Sequence, residues 1–356
     1  MKLKKRRDRR TFELTGKYAS AVLLTDEVEK SAVEQIKTFC DQKFTKDYKI
    51  RIMPNVRLDK DGIIGFTADM GNKVIPNLVG TDIGCGILTV YLDDTATDLK
   101  KIDEIIKTSI PYGEAVHKTQ KHSCLDLHQL KCYTHLKDTD RIERGVGTLG
   151  GGNHFIEVCM DNKFNRYLLV HTGSRDLGRQ VSEFYQQLAC DTLRDAHQSG
   201  HIPTELCYLT GGARNLYLTD MYLCQAYATE NRRAIANTIL KGLFGKTLAD
   251  FLHFETVHNY ISKIDNIVRK GAVSAHRGDR MVIPVNQHDG NIICRAFGNR
   301  EWNFSAPHAA GPLYNRKKTD VLPNTYQSME RTLQHLFYTA DFIATIVPTY
   351  HFKASE

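Results

Sequence analysis

The sequence of 356 residues lacks any uninterrupted apolar stretch long enough to span a membrane. Its basic first residues are not followed by an apolar core, so they do not have the pattern of a secretory signal. No internal repeat, low-complexity linker or break in composition divides the chain. We therefore expect a cytoplasmic protein with no membrane partner, built from a basic tail over residues 1–10 and a single domain over residues 11–356.

The chain also lacks a cysteine framework. Its nine cysteines are odd in number and scattered, and no two have the CxxC spacing of a zinc knuckle. A small disulfide-stabilised module needs a much denser set, so the pattern indicates a reducing compartment. One cysteine, Cys85, has an unusual setting in the glycine-rich segment GTDIGCG.

Positive charge is concentrated at the start of the chain. The formal net charge is +7, from 48 Lys and Arg against 41 Asp and Glu, and seven basic residues fall between Lys2 and Arg10. Such a run is most often a solvated tail, and the alternative is contact with a phosphate backbone. The remaining chain is nearly balanced, so composition alone does not require a nucleic-acid partner.

Local patterns predict both helices and strands. Apolar residues recur at helical spacing over residues 26–39, 99–108, 179–199, 218–244 and 324–346. Glycine and β-branched residues predict short strands and tight turns over residues 62–92, 145–158, 167–178 and 253–312, with hairpin turns at 278–280 and 288–290. The combination predicts an α+β fold, with central β-sheets flanked by helices.

Four histidines stand where a turn follows an apolar segment, among or near glycines: His154, His171, His258 and His308. A single histidine of this kind is usually a structural residue. Glycine loops at strand ends, however, let the backbone approach a ligand and direct several side chains into one cleft. Asp82 and Cys85 lie in a loop of the same type, so all six residues are candidates for one site.

The spacing of Asp82 and Cys85 suits a metal. Glycines on both sides of Cys85 permit a sharp turn, on which a carboxylate and a thiolate can reach the same ion. A thiolate has enough lone pairs to bridge two ions, and imidazoles can complete the ligand set. Mixed oxygen, nitrogen and sulfur ligands suit Mn²⁺, Fe²⁺, Co²⁺ or Zn²⁺. Spacing alone leaves a metal site and a set of structural histidines as alternatives.

Three glycine turns carry groups that bind phosphate: residues 150–153, 173–175 and 269–271. Backbone N–H groups in such turns face anions, and arginine side chains grip phosphate oxygens in pairs. Each turn alone is a weak signal, and none matches a P-loop or a dinucleotide-binding fingerprint.

Several longer motifs resemble one family. They are GFTADMGNKVIPNLVGTDIGCG, GGGNHFIE, HTGSRDLG, YLTGGARNLYLTDMYLCQAYATENR, VHNY, VRKGA and WNFSAPHAAG. In this order they are similar to the motifs of RtcB-type RNA-splicing ligases, and the likeness runs from about residue 52 to residue 353. The resemblance implies one large domain with an active-site cleft between sheets and helices.

The resemblance also implies an activity. Ligases of this type use GTP and Mn²⁺ to join RNA ends carrying a 2′,3′-cyclic phosphate or 3′-phosphate to a 5′-hydroxyl, in tRNA splicing or RNA repair. A histidine, here matched by His308, attacks the GTP α-phosphate and forms a histidine–GMP intermediate. GMP then passes to the RNA 3′-phosphate, and the 5′-hydroxyl displaces it. The expected partners are tRNA halves or damaged RNA ends, GTP and an activating accessory protein.

Further roles follow from the same match. Two Mn²⁺ ions would share Cys85, one with Asp82 and His154 and the other with His171 and His258. The expected nucleotide-binding residues are Asn153, Phe155, Glu157, Ala310, Gly311, Tyr326 and Lys353. The residues expected to bind phosphate or RNA are Arg175, Lys270 and Arg316.

The chain departs from the family pattern at two places. His308 is followed by Ala309-Ala310-Gly311-Pro312 where the family has GAGR, and residues 53–57 read MPNVR where the family has MPDVH. One phosphate-binding arginine is therefore lost, and Asn55 replaces a carboxylate that can accept a proton. These changes leave two alternatives: a divergent paralogue that keeps nucleotidyl transfer but acts on other RNA ends, and a non-catalytic, metal-containing RNA-binding protein.

Overall fold

The computed structural model describes residues 4–5, 11–26, 28–59, 62–93, 97–122, 125–196, 202–286, 289–310, 336 and 339–353. Five α-helices occur in these ranges: α1 Lys30–Cys40, α2 Leu99–Ser109, α3 Thr139–Arg144, α4 Arg175–Asp195 and α5 Gly211–Phe244. None of them is long and apolar enough to cross a membrane.

The described strands are β1 Lys4–Lys5, β2 Phe12–Thr15, β3 Ser20–Leu23, β4 Ile50–Asp59, β5 Gly62–Asp69, β6 Gly86–Asp93, β7 Phe155–Met160, β8 Arg166–Thr172, β9 His253–Val257, β10 Asn259–Ile261, β11 Ile267–Lys270, β12 Ala272–Ser274, β13 Arg280–Asn286, β14 Gly290–Ala296, β15 Ser305–Pro307 and β16 Ala340–Lys353. They form two seven-stranded sheets, β1-β2-β3-β4-β5-β11-β10 and β13-β14-β16-β7-β8-β6-β9, and the pair β12-β15. The predicted α+β fold in one large domain is confirmed.

Antiparallel pairing in the second sheet brings several strand ends together. Strand β6 lies between β8 and β9 and is antiparallel to both, so its first residue is adjacent to their last residues. Gly86 pairs with Thr172 on one side and with Val257 on the other. Strand β7 is antiparallel to β8, and its first residue, Phe155, pairs with His171. The residues that precede β6 and β7 therefore lie close to the residues that end β8 and β9, at one end of these four strands.

Most predicted elements are confirmed, with shifted boundaries. Helices α1 and α2 lie within a few residues of the predicted segments, whereas α5 begins at Gly211, seven residues before the predicted 218. Glycine is a weak helix former, but Gly211 adopts φ +54° and can begin this helix. The first half of the basic tail is also partly structured, because Lys4 and Lys5 pair with β2.

Two predictions were wrong. The final helix, predicted over 324–346, is strand β16 from Ala340 onward, while residues 324–335 lie outside the described ranges. This segment contains Ile343, Thr345 and Ile346, whose branched β-carbons suit a strand placed between β14 and β7. The turn at 278–280 does not join a hairpin, because β12 pairs with β15 rather than β13. The second hairpin is confirmed, since β13 pairs with β14 across it.

Helix α5 packs across the strand ends through a buried arginine. Arg232 is fully buried, and its guanidinium donates to the carbonyl oxygens of Gly84 at 2.8 Å and Thr172 at 2.9 Å. It also pairs with the carboxylate of Glu255 on β9 at 3.2 Å. A single side chain thus ties the helix to the loop before β6, the end of β8 and strand β9.

We expect Arg232→Met to lower the free energy of unfolding by about 3 kcal/mol, because it leaves a largely buried carboxylate and two carbonyl groups without a donor. The neighbouring Arg233 is exposed and pairs with Glu230 on the helix surface, so Arg233→Met should change stability by less than about 1 kcal/mol. Urea unfolding followed by circular dichroism measures both values. Equal stability of the two variants would contradict the structural role of Arg232.

Candidate active site

Five predicted ligands lie together at the strand ends described above. Cys85 directly precedes β6, His171 lies near the end of β8, and His258 directly follows β9. The backbone N–H of His258 donates to the carbonyl of Cys85 at 2.9 Å, which fixes these two residues side by side. His154 directly precedes β7, and Asp82 lies in the turn that ends at Cys85. Residues separated by up to 176 positions in sequence therefore meet.

The five side chains form two groups that share one sulfur. Cys85, His171 and His258 form one group, and Asp82, Cys85 and His154 form the other, with all ligand atoms of a group within 4.8 Å of one another. The Cys85 Sγ lies 3.4 Å from Nε2 of His171 and 3.6 Å from Nε2 of His154. These two groups consist of the residues that the sequence analysis assigned to two ions.

The absence of a side chain at Gly173 makes room for the carboxylate of Asp82. A Cβ added to Gly173 would lie 2.2 Å from Oδ1 of Asp82, well inside the closest contact that real atoms show. Glycine at this turn, directly after β8, therefore lets Asp82 approach the histidines. Its Oδ2 lies 2.9 Å from Nε2 of His154.

Hydrogen bonds on the far side of two rings fix where their lone pairs point. Nδ1 of His154 lies 2.9 Å from the carbonyl of Leu149, and Nδ1 of His171 lies 3.1 Å from the carbonyl of Asn153. A carbonyl oxygen only accepts, so each Nδ1 carries a hydrogen, and each Nε2 carries a lone pair directed at Cys85 when its ring is neutral. This arrangement of a carbonyl behind a ligating histidine is typical of metal sites.

The ring nitrogens, the sulfur and the carboxylate thus converge on one another. Nε2 of His171 is 3.4 Å from Nε2 of His258, and Nε2 of His154 faces the Asp82 carboxylate. Converging lone pairs in a buried site repel one another unless a proton or a cation lies between them. The donor set of one carboxylate, one thiol and three imidazoles fits metal ions at both groups.

Burial shapes the ionisation of the ligands. Burial and the nearby Asp82 carboxylate raise the pKa of the Cys85 thiol well above its ordinary value. Burial and the neighbouring histidines lower the pKa of His171 and of His258 well below the ordinary value, which keeps both imidazoles neutral. Burial alone would raise the pKa of Asp82, but the charge of His154 and its hydrogen bond bring the value below normal. Neutral imidazoles and a carboxylate are ready to ligate, while the thiol needs a cation to lose its proton.

His308 lies beside this cluster. It follows β15 directly, is 7% exposed, and its ring centroid is 4.4 Å from that of His258. Its Nδ1 lies 2.7 Å from the carbonyl of Gly271, and in the tautomer that donates to this carbonyl Nε2 carries the lone pair. Burial and the positive charge of Arg57 lower the pKa of His308 to about 4. The ring is therefore neutral near pH 7, as a nitrogen nucleophile must be.

Asn55, the residue at the first departure from the family pattern, contacts the same groups. It is fully buried, and its Nδ2 lies 2.8 Å from the carbonyl of Gly271 and 2.7 Å from Nδ1 of His308. The amide therefore packs against the Nδ1 side of the ring, away from Nε2. Arg57, two residues along β4, supplies the positive charge noted above.

Three supporting residues were missed by the sequence analysis, although they belong to motifs that it quoted. Asn231 accepts from the N–H groups of Gly147 and Thr148, and Arg232 binds the carbonyl of Gly84. Asn259 accepts from the N–H of Gly271 at 3.0 Å and donates to the carbonyl of Asp82 at 3.2 Å. The signal was present in the ENRR and VHNY segments, where polar residues interrupt apolar patterns.

Three predicted nucleotide-binding residues lie on adjacent strands. Phe155 and Glu157 are two positions apart on β7 and therefore face the same side of the sheet. Lys353 on β16 pairs directly with Phe155. The Phe155 ring lies between those of His171 and His351, at centroid distances of 5.0 and 5.7 Å. The backbone N–H of Ala310 donates to the carbonyl of Pro284. Gly311 and Tyr326, like the predicted RNA-binding residue Arg316, lie outside the described residues.

A cavity of about 270 Å³ opens beside Asp82 and His154. Asn153 and Arg175 line it, together with Arg141 and Arg179. Arg175 begins helix α4 with φ +56°, and a Cβ on Gly150 would lie 1.9 Å from its guanidinium, so this glycine lets the arginine reach the cavity. The structure does not bring Lys270 to this cavity lining: it is buried on β11 and donates to the carbonyl of Asn77 at 3.1 Å.

Cys85→Ser should reduce bound Mn²⁺ by at least half, because a neutral hydroxyl cannot replace a thiolate shared by two ligand groups. Atomic emission of the protein after Mn²⁺ loading and gel filtration gives the stoichiometry. Cys294→Ser is the matched control, since Cys294 is equally buried but packs in a separate apolar cluster. A full complement of metal in Cys85→Ser would count against the shared sulfur.

The chain is similar to known proteins over most of its length. The family model described as "tRNA-splicing ligase RtcB" matches residues 112–335. The RNA-splicing ligase RtcB of Escherichia coli is 28% identical over 334 residues, which covers 83% of this chain and 81% of the relative. The tRNA-splicing ligases RtcB of Aeropyrum pernix and Thermococcus kodakarensis are each 25% identical, covering 80% and 72% of this chain and 77% and 70% of the relatives. With a family match over more than half of its residues, this chain belongs to the RtcB family.

Proposed function

We propose that this protein is a GTP- and Mn²⁺-dependent RNA ligase that joins 2′,3′-cyclic phosphate or 3′-phosphate ends to 5′-hydroxyl ends. The observation that carries the proposal is a buried, neutral His308 beside two metal-ligand groups that share Cys85. Family membership supports RNA as the substrate class, because the relatives described above are named as RNA- or tRNA-splicing ligases.

The first step is nucleotidylation of His308. Nε2 attacks the α-phosphorus of GTP, an N–P bond forms, the bond from that phosphorus to the leaving oxygen breaks, and pyrophosphate departs. Donation from Nδ1 to the carbonyl of Gly271 would hold the ring so that the Nε2 lone pair is available. Bound Mn²⁺ ions would neutralise the triphosphate and orient it for in-line attack. Because His308 is neutral near pH 7, it needs no separate base to remove a proton from Nε2.

The next two steps transfer GMP and seal the RNA. An oxygen of the RNA 3′-phosphate attacks the GMP phosphorus, and the N–P bond to His308 breaks. The 5′-hydroxyl of the second RNA then attacks the activated 3′-phosphate, loses its proton, and releases GMP as a 3′,5′-phosphodiester forms. A cyclic phosphate must first be opened by water to a 3′-phosphate for the same route to apply.

The proposed guanine site lies along β7 and β16. Phe155 stacks, Glu157 accepts from the base, and Lys353 donates to its carbonyl oxygen. Asn153 would contact the GTP phosphates, Ala310 and Gly311 would lie along the ribose, and Tyr326 would be a further stacking residue. The direct pairing of Phe155 with Lys353 supports this assignment, since cross-strand partners face the same side of a sheet.

The proposed RNA end site is the cavity beside Asp82 and His154. Arg175, which enters it past Gly150, would bind the terminal phosphate. Lys270, which lies outside this cavity lining, and Arg316 would contact other phosphates of the RNA or the nucleotide. Guanidinium groups bind phosphate oxygens through two parallel hydrogen bonds. The substrates would be tRNA halves or damaged RNA ends, and an accessory protein would assist turnover.

Incubation with Mn²⁺ and α-labelled GTP should produce acid-labile label on the protein, and His308→Ala should remove it entirely. His276→Ala is the matched control, because His276 is bonded to Asp265 and stacks on Phe304 outside the ligand cluster. Gel electrophoresis with autoradiography measures the label. No label on the wild-type protein would overturn nucleotidylation, and with it the ligase.

A second assay separates ligation from nucleotidylation alone. A cyclic-phosphate RNA and a 5′-hydroxyl RNA should be joined by the wild-type protein in the presence of GTP and Mn²⁺. Label on His308 without joining would favour the divergent paralogue, in keeping with Asn55 and Pro312. Binding of RNA and metal without label would favour the non-catalytic protein.

Arg175→Gln should weaken binding of a 3′-phosphorylated RNA about tenfold while changing binding of the same RNA with a 3′-hydroxyl much less, because the guanidinium would grip the terminal phosphate. Fluorescence anisotropy at fixed salt measures both affinities. Arg194→Gln is the control, since Arg194 lies on the exposed end of α4 and pairs with Asp191. An equal loss of affinity for both RNAs would mean that Arg175 contacts the RNA backbone and not the terminal phosphate.

A further inference from the structure

The charge of Arg57 on strand β4 has no partner in the part of the chain that the structure describes. Its side chain is partly buried, and its guanidinium makes no hydrogen bond or ion pair with a described residue. Arg51, on the same strand, is satisfied, since its guanidinium donates to the carbonyl of Glu301 at 2.6 Å and pairs with the carboxylate of that residue. A cation held partly out of water without an acceptor favours the binding of an anion.

The register between β4 and β5 sets the side to which Arg57 projects. Arg57 pairs directly with Ile64, and the next residue on β5 toward the turn is Ile63. Ile63 is buried in the large apolar core. Because side chains alternate along a strand, Ile64 faces the other side of the sheet, and its cross-strand partner Arg57 faces that side with it.

This side of the sheet is also the side on which His308 lies. A Cβ added to Gly271 would lie 2.4 Å from Cγ2 of Ile64 and 3.2 Å from Cε1 of His308, so the two side chains converge on this glycine. Cε1 is the ring carbon bonded to both nitrogens, including Nε2. Arg57 therefore projects next to the Cε1 edge of the ring, close enough for its positive charge to lower the pKa of His308.

Other groups occupy the remaining sides of the ring. Asn55 and the carbonyl of Gly271 lie at Nδ1. His258, which belongs to the ligand group of Cys85, packs against the ring with 4.4 Å between the centroids. The approach to Nε2 therefore lies between the metal ligands and the side on which Arg57 projects.

We propose that Arg57 is a further catalytic residue, whose guanidinium donates two hydrogen bonds to the non-bridging oxygens of the nucleotide α-phosphate while His308 attacks it. This inference rests on the proposed nucleotidylation. The guanidinium stays protonated, so the bonds that form and break are those described above. A fixed pair of donors stabilises the charge on these oxygens during the transfer. Residue 312 is proline where the family has an arginine, and Arg57 supplies a phosphate-binding group from β4 instead.

Equilibrium dialysis of radiolabelled GMP and guanosine in the presence of Mn²⁺ tests the contact without any labelling of His308. GMP carries the α-phosphate and guanosine does not. Arg57→Gln should weaken GMP binding about tenfold and change guanosine binding less than about twofold. Arg57→Lys keeps the charge but loses the paired donors, so it should weaken GMP binding only about threefold.

The control is Arg233→Gln, which removes the same charge from an exposed arginine paired with Glu230 and should leave both affinities unchanged. Atomic emission should show the same Mn²⁺ content in all variants, so that a lost phosphate contact is not confused with lost metal. The thermal midpoint of Arg57→Gln should stay within about 2 °C of the wild type, because no described residue loses a partner.

The rate of labelling by α-labelled GTP at saturation should fall about a hundredfold in Arg57→Gln, the usual effect of removing a donor to a charged transition state. Unchanged GMP affinity in both Arg57 variants would overturn the contact, as would an equal loss for GMP and guanosine. A phosphate-dependent loss without label on wild-type His308 would remove the ligase and keep the contact, whereas a normal labelling rate in Arg57→Gln would do the reverse. Failure of the wild type to bind GMP would remove both.

Discussion

The sulfur of Cys85 has to lie within reach of two ligand groups at once, and much of the surrounding structure serves that requirement. A strand with antiparallel neighbours on both sides offers this position, because the residue before its first pair lies between the ends of two other strands. Cys85 occupies that position before β6, with His171 on one side and His258 on the other. The turn that begins at Asp82 then brings the carboxylate to the second side of the sulfur.

Holding three imidazoles, a carboxylate and a thiol together in a buried site is unfavourable unless the backbone around them is fixed. Helix α5 supplies that support from outside the sheet. Asn231 and Arg232 bind backbone groups in the loops that carry Asp82, Cys85 and His154, rather than the ligands themselves. The ligand atoms therefore remain directed at one another. The hydrogen bonds that hold the surrounding loops are made by side chains that are not ligands.

The candidate site could be predicted from sequence to the extent that its residues lie in short glycine-rich motifs. The five ligands and His308 were found because glycines mark strand ends and because the motifs resemble those of a known family, and the structure brings these six residues together. Asn231, Arg232 and Asn259 were missed because they act through backbone groups distant in sequence. Strand β16 was mistaken for a helix because its apolar residues fit both the helical and the strand periodicity. Only its pairing with β14 and β7 decides between the two.

The contact of His351 with Glu157 could not be predicted either, since it depends on the register between β16 and β7. Asn55 was found as a departure from the family pattern, but its position could not be inferred. It lies on the Nδ1 side of His308, beside the carbonyl of Gly271, so the substitution changes a group that contacts the ring on the side away from Nε2.

The proposed site shares one thiolate between two metal ions. Anomalous diffraction from crystals grown with Mn²⁺, recorded on both sides of the manganese absorption edge, can locate these ions. Two peaks are expected within bonding distance of the Cys85 sulfur, one also next to Asp82 and His154 and the other next to His171 and His258. A single peak, or two peaks of which only one contacts Cys85, would contradict it.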